Sequence, residues 1–549
     1  MVEKMYKYRL FLPQDSDAVR GLVKAAFPNF LEGDYWDWKH FNNPQFDPSI
    51  VVVSEKDGEI VGCSHWLKGN IKIGSDLVVG SFLTCDLAVK PEQRGRGIAR
   101  ELLLQRRTRE TFRSRGIVVN YDFADPRLAK RLYTPLLGYT KVGVAVKKYA
   151  KVLNWKRLID FVSNEDAGRI LLRRFPKLRE LNLSICFKSK SAPPLTLRFM
   201  NGKIEATENE PSDVHILVEA DLRVLVSVFE AKHVMTQLLK AVFQRKIKIK
   251  GKFLKLYEVT QNFGLLKTVL RVISTPEPDF FSHAQTPKYK VRTFEDGDEI
   301  EIVRLFDKAY ADYGGFVPRD PKYWLWCCLQ RPGVVREGIF VVVDENDNSV
   351  VGYAVAGKWG NIWELCYDPA HDVETVVGML LGETTRYLES MEAASVSFNA
   401  VEEDSALLKV CNKFGFEALI SPRMYLSILD TRGVVALLAD GKREELIRYF
   451  DEAILVKLKD VPAWVKDTLF VRIDRNGVYV DENVHPYTIL VKTDFTTFSS
   501  LLAGVLTPSA AVAQSKLEVE PFRKTSTAIK LLSYLQFDAK WFFPMSDYG

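Results

Sequence analysis

The residues whose types and spacing most clearly suit chemistry are Arg94-Gly95-Arg96-Gly97-Ile98-Ala99. They follow a β-prone run that closes with Cys85-Asp86-Leu87-Ala88-Val89. Pro91, which has no amide to donate, stops the ladder between the two. An amphipathic helix is predicted from the turn to about Arg115. Gly95 and Gly97 let the main chain approach a ligand closely, and the small Ala99 does not block it. Amides left unpaired in the first helical turn, at the positive end of its dipole, attract an anion. Arg94 and Arg96 add charge. This combination suits a pyrophosphate.

Other phosphate-binding patterns are excluded. A nucleotide P-loop would end in Gly-Lys-Ser/Thr, and a dinucleotide turn would read Gly-x-Gly-x-x-Gly with an acid about 20 residues on. Neither is present here. The stretch resembles motif A of the GNAT superfamily of N-acetyltransferases, Arg/Gln-x-x-Gly-x-Gly/Ala, with Arg94 first, Gly97 fourth and Ala99 sixth. The resemblance implies acetyl-CoA as co-substrate and an amine as acceptor, with no metal. It covers about residues 5 to 150, where the predicted order is strand, helices, antiparallel strands, glycine turn, helix, strand, helix, strand.

The elements that must position this turn begin with a strand at Tyr6 to Phe11 and a helix capped by Asp15 or Ser16. An aromatic helix follows, Tyr35-Trp36-Asp37-Trp38-Lys39-His40, ended by Pro44. Strands are predicted at Ile50 to Val53 and Glu59 to Leu67, then through Leu77 to Val89. Further strands fall at Gly116 to Asp122 and near Val142 to Tyr149, with a short helix at Leu128 to Leu136. Residues 151–275 differ. Strands at Leu195 to Met200, Lys203 to Ala206, Val214 to Glu219 and Lys246 to Lys250 alternate with helices at Trp155 to Phe161, Leu222 to Phe229, Val234 to Phe243 and Phe253 to Leu270. This segment resembles a sterol-carrier-protein-type domain. Prolines at 276, 278 and 287 then mark a linker.

Beyond the linker the plan recurs. Tyr323-Trp324-Leu325-Trp326 and Pro332 repeat the Tyr-Trp-x-Trp-x5-Pro pattern of Tyr35 to Pro44. Val350-Val351-Gly352 echoes Ile60-Val61-Gly62, Phe414-Gly415-Phe416 echoes Leu137-Gly138-Tyr139, and Ile489 to Phe495 echoes Ile216 to Leu222. Ordered echoes in both halves indicate a duplicated two-domain unit. The expected fold class is α+β, or mixed α/β, with a GNAT-like domain plus a sterol-carrier-protein-like domain occurring twice. The expected limits are 1–150, 151–275, linker 276–288, 289–428 (a degenerate GNAT-like domain) and 429–549. At the position of the glycine turn the second copy has Pro369, Asp372 and Glu374, whose charges repel a pyrophosphate. One acetyl-CoA site per chain is therefore expected. Eis-type acetyltransferases have a similar plan but lack the intervening carrier-like domain.

At 549 residues the chain is too long for one core, and its net charge of +6 gives no argument for nucleic acid. Seven scattered cysteines, never in a Cys-x-x-Cys spacing, favour a reducing compartment. No apolar run approaches the roughly 18 residues of a membrane span, so a cytoplasmic protein is expected. By the GNAT resemblance, Leu87, Ala88 and Val89 pair with pantetheine, and Arg94 to Ala99 (Arg94, Gly95, Arg96, Gly97, Ile98, Ala99) hold the pyrophosphate. Tyr133, ahead of Gly138-Tyr139, protonates the leaving thiolate, although one residue more than usual separates it from Gly138. Arg106, Arg107 and Arg109 could reach the 3′-phosphate or form a solvated face. Asp86, on the key strand, is the preferred base, with Asp34, Asp122, His40 and His65 as further candidates, and an acetyl-Cys85 intermediate is a less favoured route. The aromatic run Lys540-Trp541-Phe542-Phe543 predicts a docked tail. By likeness to Eis-type enzymes, the Gly549 carboxylate would help with the acceptor's proton. Two other classes stay open, an apolar-ligand carrier using the sterol-carrier-like domains and a docking scaffold. Nothing in the sequence decides between a monomer and a homo-oligomer.

Overall fold

The computed structural model describes residues 6–26, 35–74, 77–105, 107–124, 126–143, 146–154, 157, 182–189, 194–200, 203–221, 224, 228, 234–251, 288–401, 404–419, 423–538 and 540–547. The N-terminal strands are β1 (Lys7–Leu10), β2 (Val52–Lys56), β3 (Glu59–Lys72), β4 (Val78–Val89), β5 (Ile117–Asp122), β6 (Thr140–Val142) and β7 (Val146–Val152). The helix Ser16–Ala26 buries Val19, Leu22 and Val23, the stripe expected of a 3.6-residue period, and Ile98–Leu104 buries Ile98, Leu102 and Leu103. Gly62 on β3 permits this second contact, since a β-carbon there would stand 3.0 Å from Leu102 Cδ1.

Strands are exchanged between the halves. The first seven-stranded sheet runs β1-β2-β3-β4-β5, then Met424–Ile428, then β6. The second runs Tyr289–Thr293, Val334–Asp344, Val350–Gly357, Asn361–Tyr367, Ser395–Val401, then β7, then Glu417–Ala418. The sequence predicts one closing strand near Val142 to Tyr149, whereas the chain makes two and sends the second into the other sheet. There Tyr149 stacks on Phe398 with centroids 5.6 Å apart.

Two five-stranded sheets share one order. Lys203–Thr207, Leu195–Met200, Leu183–Lys188, Ile216–Ala220 and Ile247–Gly251 form one. Gly477–Asp481, Thr468–Asp474, Glu452–Lys459, Ile489–Asp494 and Leu517–Glu520 form the other. In each, the third and fourth strands pair in parallel. Leu183–Lys188, the central strand of its sheet, was not anticipated. It is buried on both faces, with the Ser184 hydroxyl satisfied 2.7 Å from His215 Nδ1, so no exposed polar alternation marks it. The expected helix Val234–Phe243 is present. The expected helices at Trp155 to Phe161, Leu222 to Phe229 and Phe253 to Leu270 fall wholly or mainly outside the described residues, as does the linker.

The halves meet at matching residues of the repeated aromatic pattern. Trp38 Nε1 donates to the Trp326 carbonyl at 2.7 Å, Trp326 Nε1 donates to the Trp38 carbonyl at 2.9 Å, and the rings stack at 5.0 Å. The tail is docked over this junction. Lys540–Trp541 pairs in parallel with Tyr313–Gly314, Phe542 stacks on Tyr310 at 4.3 Å, and Phe543 packs on Phe123 of the first half at 4.6 Å. Asp547 accepts the Val317 amide at 3.0 Å, and the buried Arg319 bridges Asp547 (2.8 Å) and Glu364 (2.6 Å). Truncating this arginine strands two buried carboxylates, so Arg319→Ala is expected to destabilise the chain by about 3–5 kcal/mol. Urea unfolding measures it, and a midpoint unchanged from wild type refutes it.

Candidate active site

The site begins where two strands part. β4 and β5 pair in parallel only from Gly80 opposite Ile117 to Leu83 opposite Tyr121. Past Leu83, among the described residues, β4 has no strand on that side, while β3 follows its other edge to Val89 opposite Gly62. The main chain of Leu87, Ala88 and Val89 thus borders an open wedge. A bulge sets its angle. Ser64 faces two residues of β4, since Cys63 pairs with Ala88 and His65 with Cys85. Asp86 takes up the extra length in the left-handed region at φ 49°, which aspartate tolerates better than most residues.

The strand runs into the arginine-glycine turn. Gly95 and Gly97 have φ of 79° and 80°, values that favour glycine, and open space surrounds the position of an added β-carbon at each. Arg94, Gly95, Arg96 and Gly97 are exposed, Ala99 is partly covered, and Ile98 is buried. Arg94 Nε donates to the Val89 carbonyl at 3.0 Å, tying the turn to the wedge.

The following helix is shorter than its sequence predicts. It stops at Leu104, and a second helix, Arg109–Arg113, starts at Thr108, whose hydroxyl accepts the Thr111 amide at 3.1 Å. Arg107 in the break does not form a solvated face. It is buried, with its guanidinium 4.4 Å from the Trp66 ring and 5.7 Å from that of Trp464. Arg109 pairs with Glu482, and Arg106 lies outside the described residues.

A buried polar cluster lies beneath the parting strands. The Tyr139 hydroxyl donates to Asn120 Oδ1 at 2.7 Å, and Thr84 Oγ1 stands 3.0 Å from the same oxygen. The Tyr133 phenol and the Asp122 carboxyl, at the end of β5, are both buried here and each shifts the other's proton affinity. Burial pushes Asp122 up to about 8, because Tyr133 and the Phe123 amide offset desolvation only in part. Burial, with the Asp122 charge, raises the Tyr133 phenol well above its usual range. The extra residue between Tyr133 and Gly138 accompanies a π-type turn at Ala129–Tyr133, a geometry that accommodates one-residue insertions.

Asp86 has other partners. Lys39 Nζ donates to its Oδ1 at 2.9 Å, and His65 Nδ1 lies 3.0 Å from Oδ2. Burial alone would raise this carboxyl, but the Lys39 ammonium and the two imidazoles at Oδ2 outweigh it and hold it well below the usual carboxylate range. Such a group is a weak base, which corrects the expectation for Asp86. Cys85 is corrected likewise: desolvation pushes its thiol above the usual range despite the nearby ammonium, so little thiolate forms at neutral pH. His40 and His65 are buried beside Asp86. Asp34 and Gly549 lie outside the described residues. Lys39, Thr84 and Asn120 were not singled out in the sequence. A lysine inside an aromatic helix and an asparagine inside the β-branched run of β5 are the signals that could have found them.

In the second half the corresponding edge, Leu365 to Tyr367, borders a cavity of about 380 Å³ lined by Tyr310, Tyr367 and Asp404. Its helix Val373–Ser390 is capped by Asp372, which accepts the Thr375 amide at 3.2 Å, so the chain itself occupies the place of an anion.

Residues 7–133 match the family model of the acetyltransferase (GNAT) domain. No curated protein matches the sequence. Three solved structures share the fold. The GCN5-related N-acetyltransferase of Anabaena variabilis is 10% identical over 98% of this chain and 99% of its own, with a TM-score of 0.51. That of Kribbella flavida is 13% identical over 98% and 99%, at 0.50. A conserved protein of Enterococcus faecalis is 12% identical over 96% of each chain, at 0.51. The wedge and its glycine turn therefore lie within the stretch, residues 7–133, that matches the acetyltransferase (GNAT) domain model, in a chain whose fold these three proteins share along nearly its whole length.

Proposed function

We propose that the chain is an acetyl-CoA-dependent N-acetyltransferase acting on a primary amine, with one working site, in the N-terminal domain. The observation that carries this reading is the continuity of the open β4 edge with the exposed turn at Arg94 to Ala99. Leu87, Ala88 and Val89 offer main-chain groups to pantetheine as an added strand would. The amides of Arg94 to Ala99 face the pyrophosphate, aided by the two arginines. A main-chain amide of the same edge polarises the thioester carbonyl.

Asp122 takes the proton of the acceptor ammonium. The freed amine nitrogen bonds to the thioester carbon, the carbon–sulfur bond breaks, the departing thiolate takes its proton from Tyr133, and the second proton, lost from the nitrogen as the amide forms, restores the Tyr133 phenol. Tyr133→Phe is accordingly expected to lower turnover by roughly 10²–10⁴-fold with little change in acetyl-CoA affinity. Steady-state kinetics with calorimetry checks this, and a near wild-type rate refutes the role. Intact-mass and product analysis with acetyl-CoA and an amine library tests the function itself. Absence of any acetylated amine alongside retained acetyl-CoA binding would favour the carrier or scaffold readings.

The two pairs of sheets are read as copies of one unit, GNAT-like then sterol-carrier-like, at 1–150, 151–275, 289–428 and 429–549. Their common strand orders and the reciprocal tryptophans support this. Seven free thiols support a reducing, cytoplasmic setting. Among the described residues no helix is long and apolar enough to cross a membrane.

A further inference from the structure

Three side chains that the transfer chemistry does not use converge beside the wedge. His40 comes from the residue after the aromatic helix, His65 from β3 at the bulge, and Asp86 from the left-handed position on β4. The geometry points to a transition-metal site formed by His40 Nε2, His65 Nδ1 and Asp86 Oδ2. One ligand atom from each of the three residues lies within 4.8 Å of the others. The two nitrogens stand 3.4 and 3.0 Å from the shared carboxylate oxygen. Ligands bound at about 2.0–2.1 Å lie roughly 2.9–3.4 Å apart in octahedral or tetrahedral geometry, so these spacings need little adjustment.

Hydrogen bonding leaves the cluster incompletely explained. His40 is 1% exposed and His65 is fully buried, yet among the described residues neither ring nitrogen of His40, nor His65 Nε2, has a hydrogen-bond partner. His40 Nε2 faces Asp86 Oδ2 at 3.4 Å but out of hydrogen-bond alignment. Buried polar atoms of this kind call for an explanation, and a bound cation supplies one for Nε2.

The surroundings hold the donors in place. The rings of His40 and His65 are nearly perpendicular, at 87° with centroids 4.7 Å apart, and Trp36 packs on both at 4.2 and 5.0 Å. Lys39 fixes the carboxylate through its other oxygen, as outer hydrogen bonds commonly do for ligating carboxylates. Its ammonium also repels a dication, which limits affinity. Two imidazoles and one carboxylate suit Zn²⁺, Co²⁺, Ni²⁺ or Fe²⁺ rather than Mg²⁺ or Ca²⁺. The bound ion would pin the bulge from which the open edge Leu87 to Val89 departs. The cluster Cys327, Cys328 and Glu364 is different, because both Glu364 oxygens are committed, one to Arg319 and the other to Trp324 and Tyr353.

The test uses untagged full-length protein stripped with chelator and titrated with Co²⁺. One equivalent per chain is expected by elemental analysis, with a visible d–d band that Zn²⁺ displaces and a rise in Tm. His40→Gln and His65→Gln should each lose both signals at unchanged circular dichroism, while Lys39→Met keeps the band. X-ray absorption on the wild-type Co²⁺ form should show two imidazole nitrogens and needs no variant. Absence of a band and of a Tm shift at millimolar metal overturns the site. So does a band that persists undiminished in both histidine variants.

Discussion

Gly97→Glu abolishes acetyl-CoA binding at concentrations that saturate the wild type, a loss of at least ~100-fold or about 2.7 kcal/mol. Two effects combine. A glutamate at φ 80° is strained by roughly 1–2 kcal/mol, and its carboxylate lies among the amides that would face the pyrophosphate. Open space around this position means that the side chain displaces nothing, so stability should fall by no more than the strain. Gly97→Asn separates the two effects, because asparagine tolerates the left-handed region and carries no charge; it should bind within about tenfold of wild type. Calorimetry on the full chain should give one site for the wild type. Undiminished binding by the glutamate variant would sink the proposed cradle, and two equal sites in the wild type would show that the second half had kept one.

Asp122→Asn lowers turnover by roughly 10²–10⁴-fold while leaving acetyl-CoA binding intact, the magnitude of a lost general base. The pH dependence gives a second signature. Because the folded carboxyl sits at about 8, wild-type kcat/KM should rise with pH through that value as the basic form appears, and the rise should vanish in the variant. Stability moves the opposite way. A folded value raised above the ordinary 3.8 means that the carboxyl's contribution is fully present below pH 4 and is lost as pH rises through about 8. Asparagine has no proton to lose, so the variant should melt higher than wild type, by a margin that widens between pH 4 and 8. A residue that merely supported the fold would lower Tm together with activity. Equal melting temperatures across that range would refute the buried-acid assignment.

What could be read from the sequence was local. The turn at Arg94 to Ala99 is contiguous, its glycines announce their backbone angles, and the β4 run before it is plainly β-prone. The repeated Tyr-Trp-x-Trp pattern located both aromatic helices and placed Trp38 and Trp326 in register. What could not be read depends on distant partners. Asp86 reads as a candidate base because Lys39, nearly fifty residues earlier, is not its neighbour in sequence, and the bulge that turns it is visible only when β3 is laid beside β4. Arg107 looked like one of a solvated trio because the helix break at Gln105 and the rings of Trp66 and Trp464 that enclose it come from tertiary packing. Leu183–Lys188 was missed because a strand buried on both faces lacks alternation. The exchange of β7 for Met424–Ile428 leaves no local mark, since either strand would suit either sheet.

That exchange sets a schedule for synthesis. When residue 142 leaves the ribosome, the slot between β5 and β6 has no occupant, and Met424–Ile428, which fills it, follows only about 280 residues later. At about 5–20 residues per second the wait is roughly 15–60 s. For that interval β5 carries an unpaired edge, which attracts other chains or a chaperone. The nascent N-terminal half therefore depends on its C-terminal half for completion. Residues 1–150 made alone should collect in aggregates, whereas co-expression with residues 289–549 should return part of the material to solution.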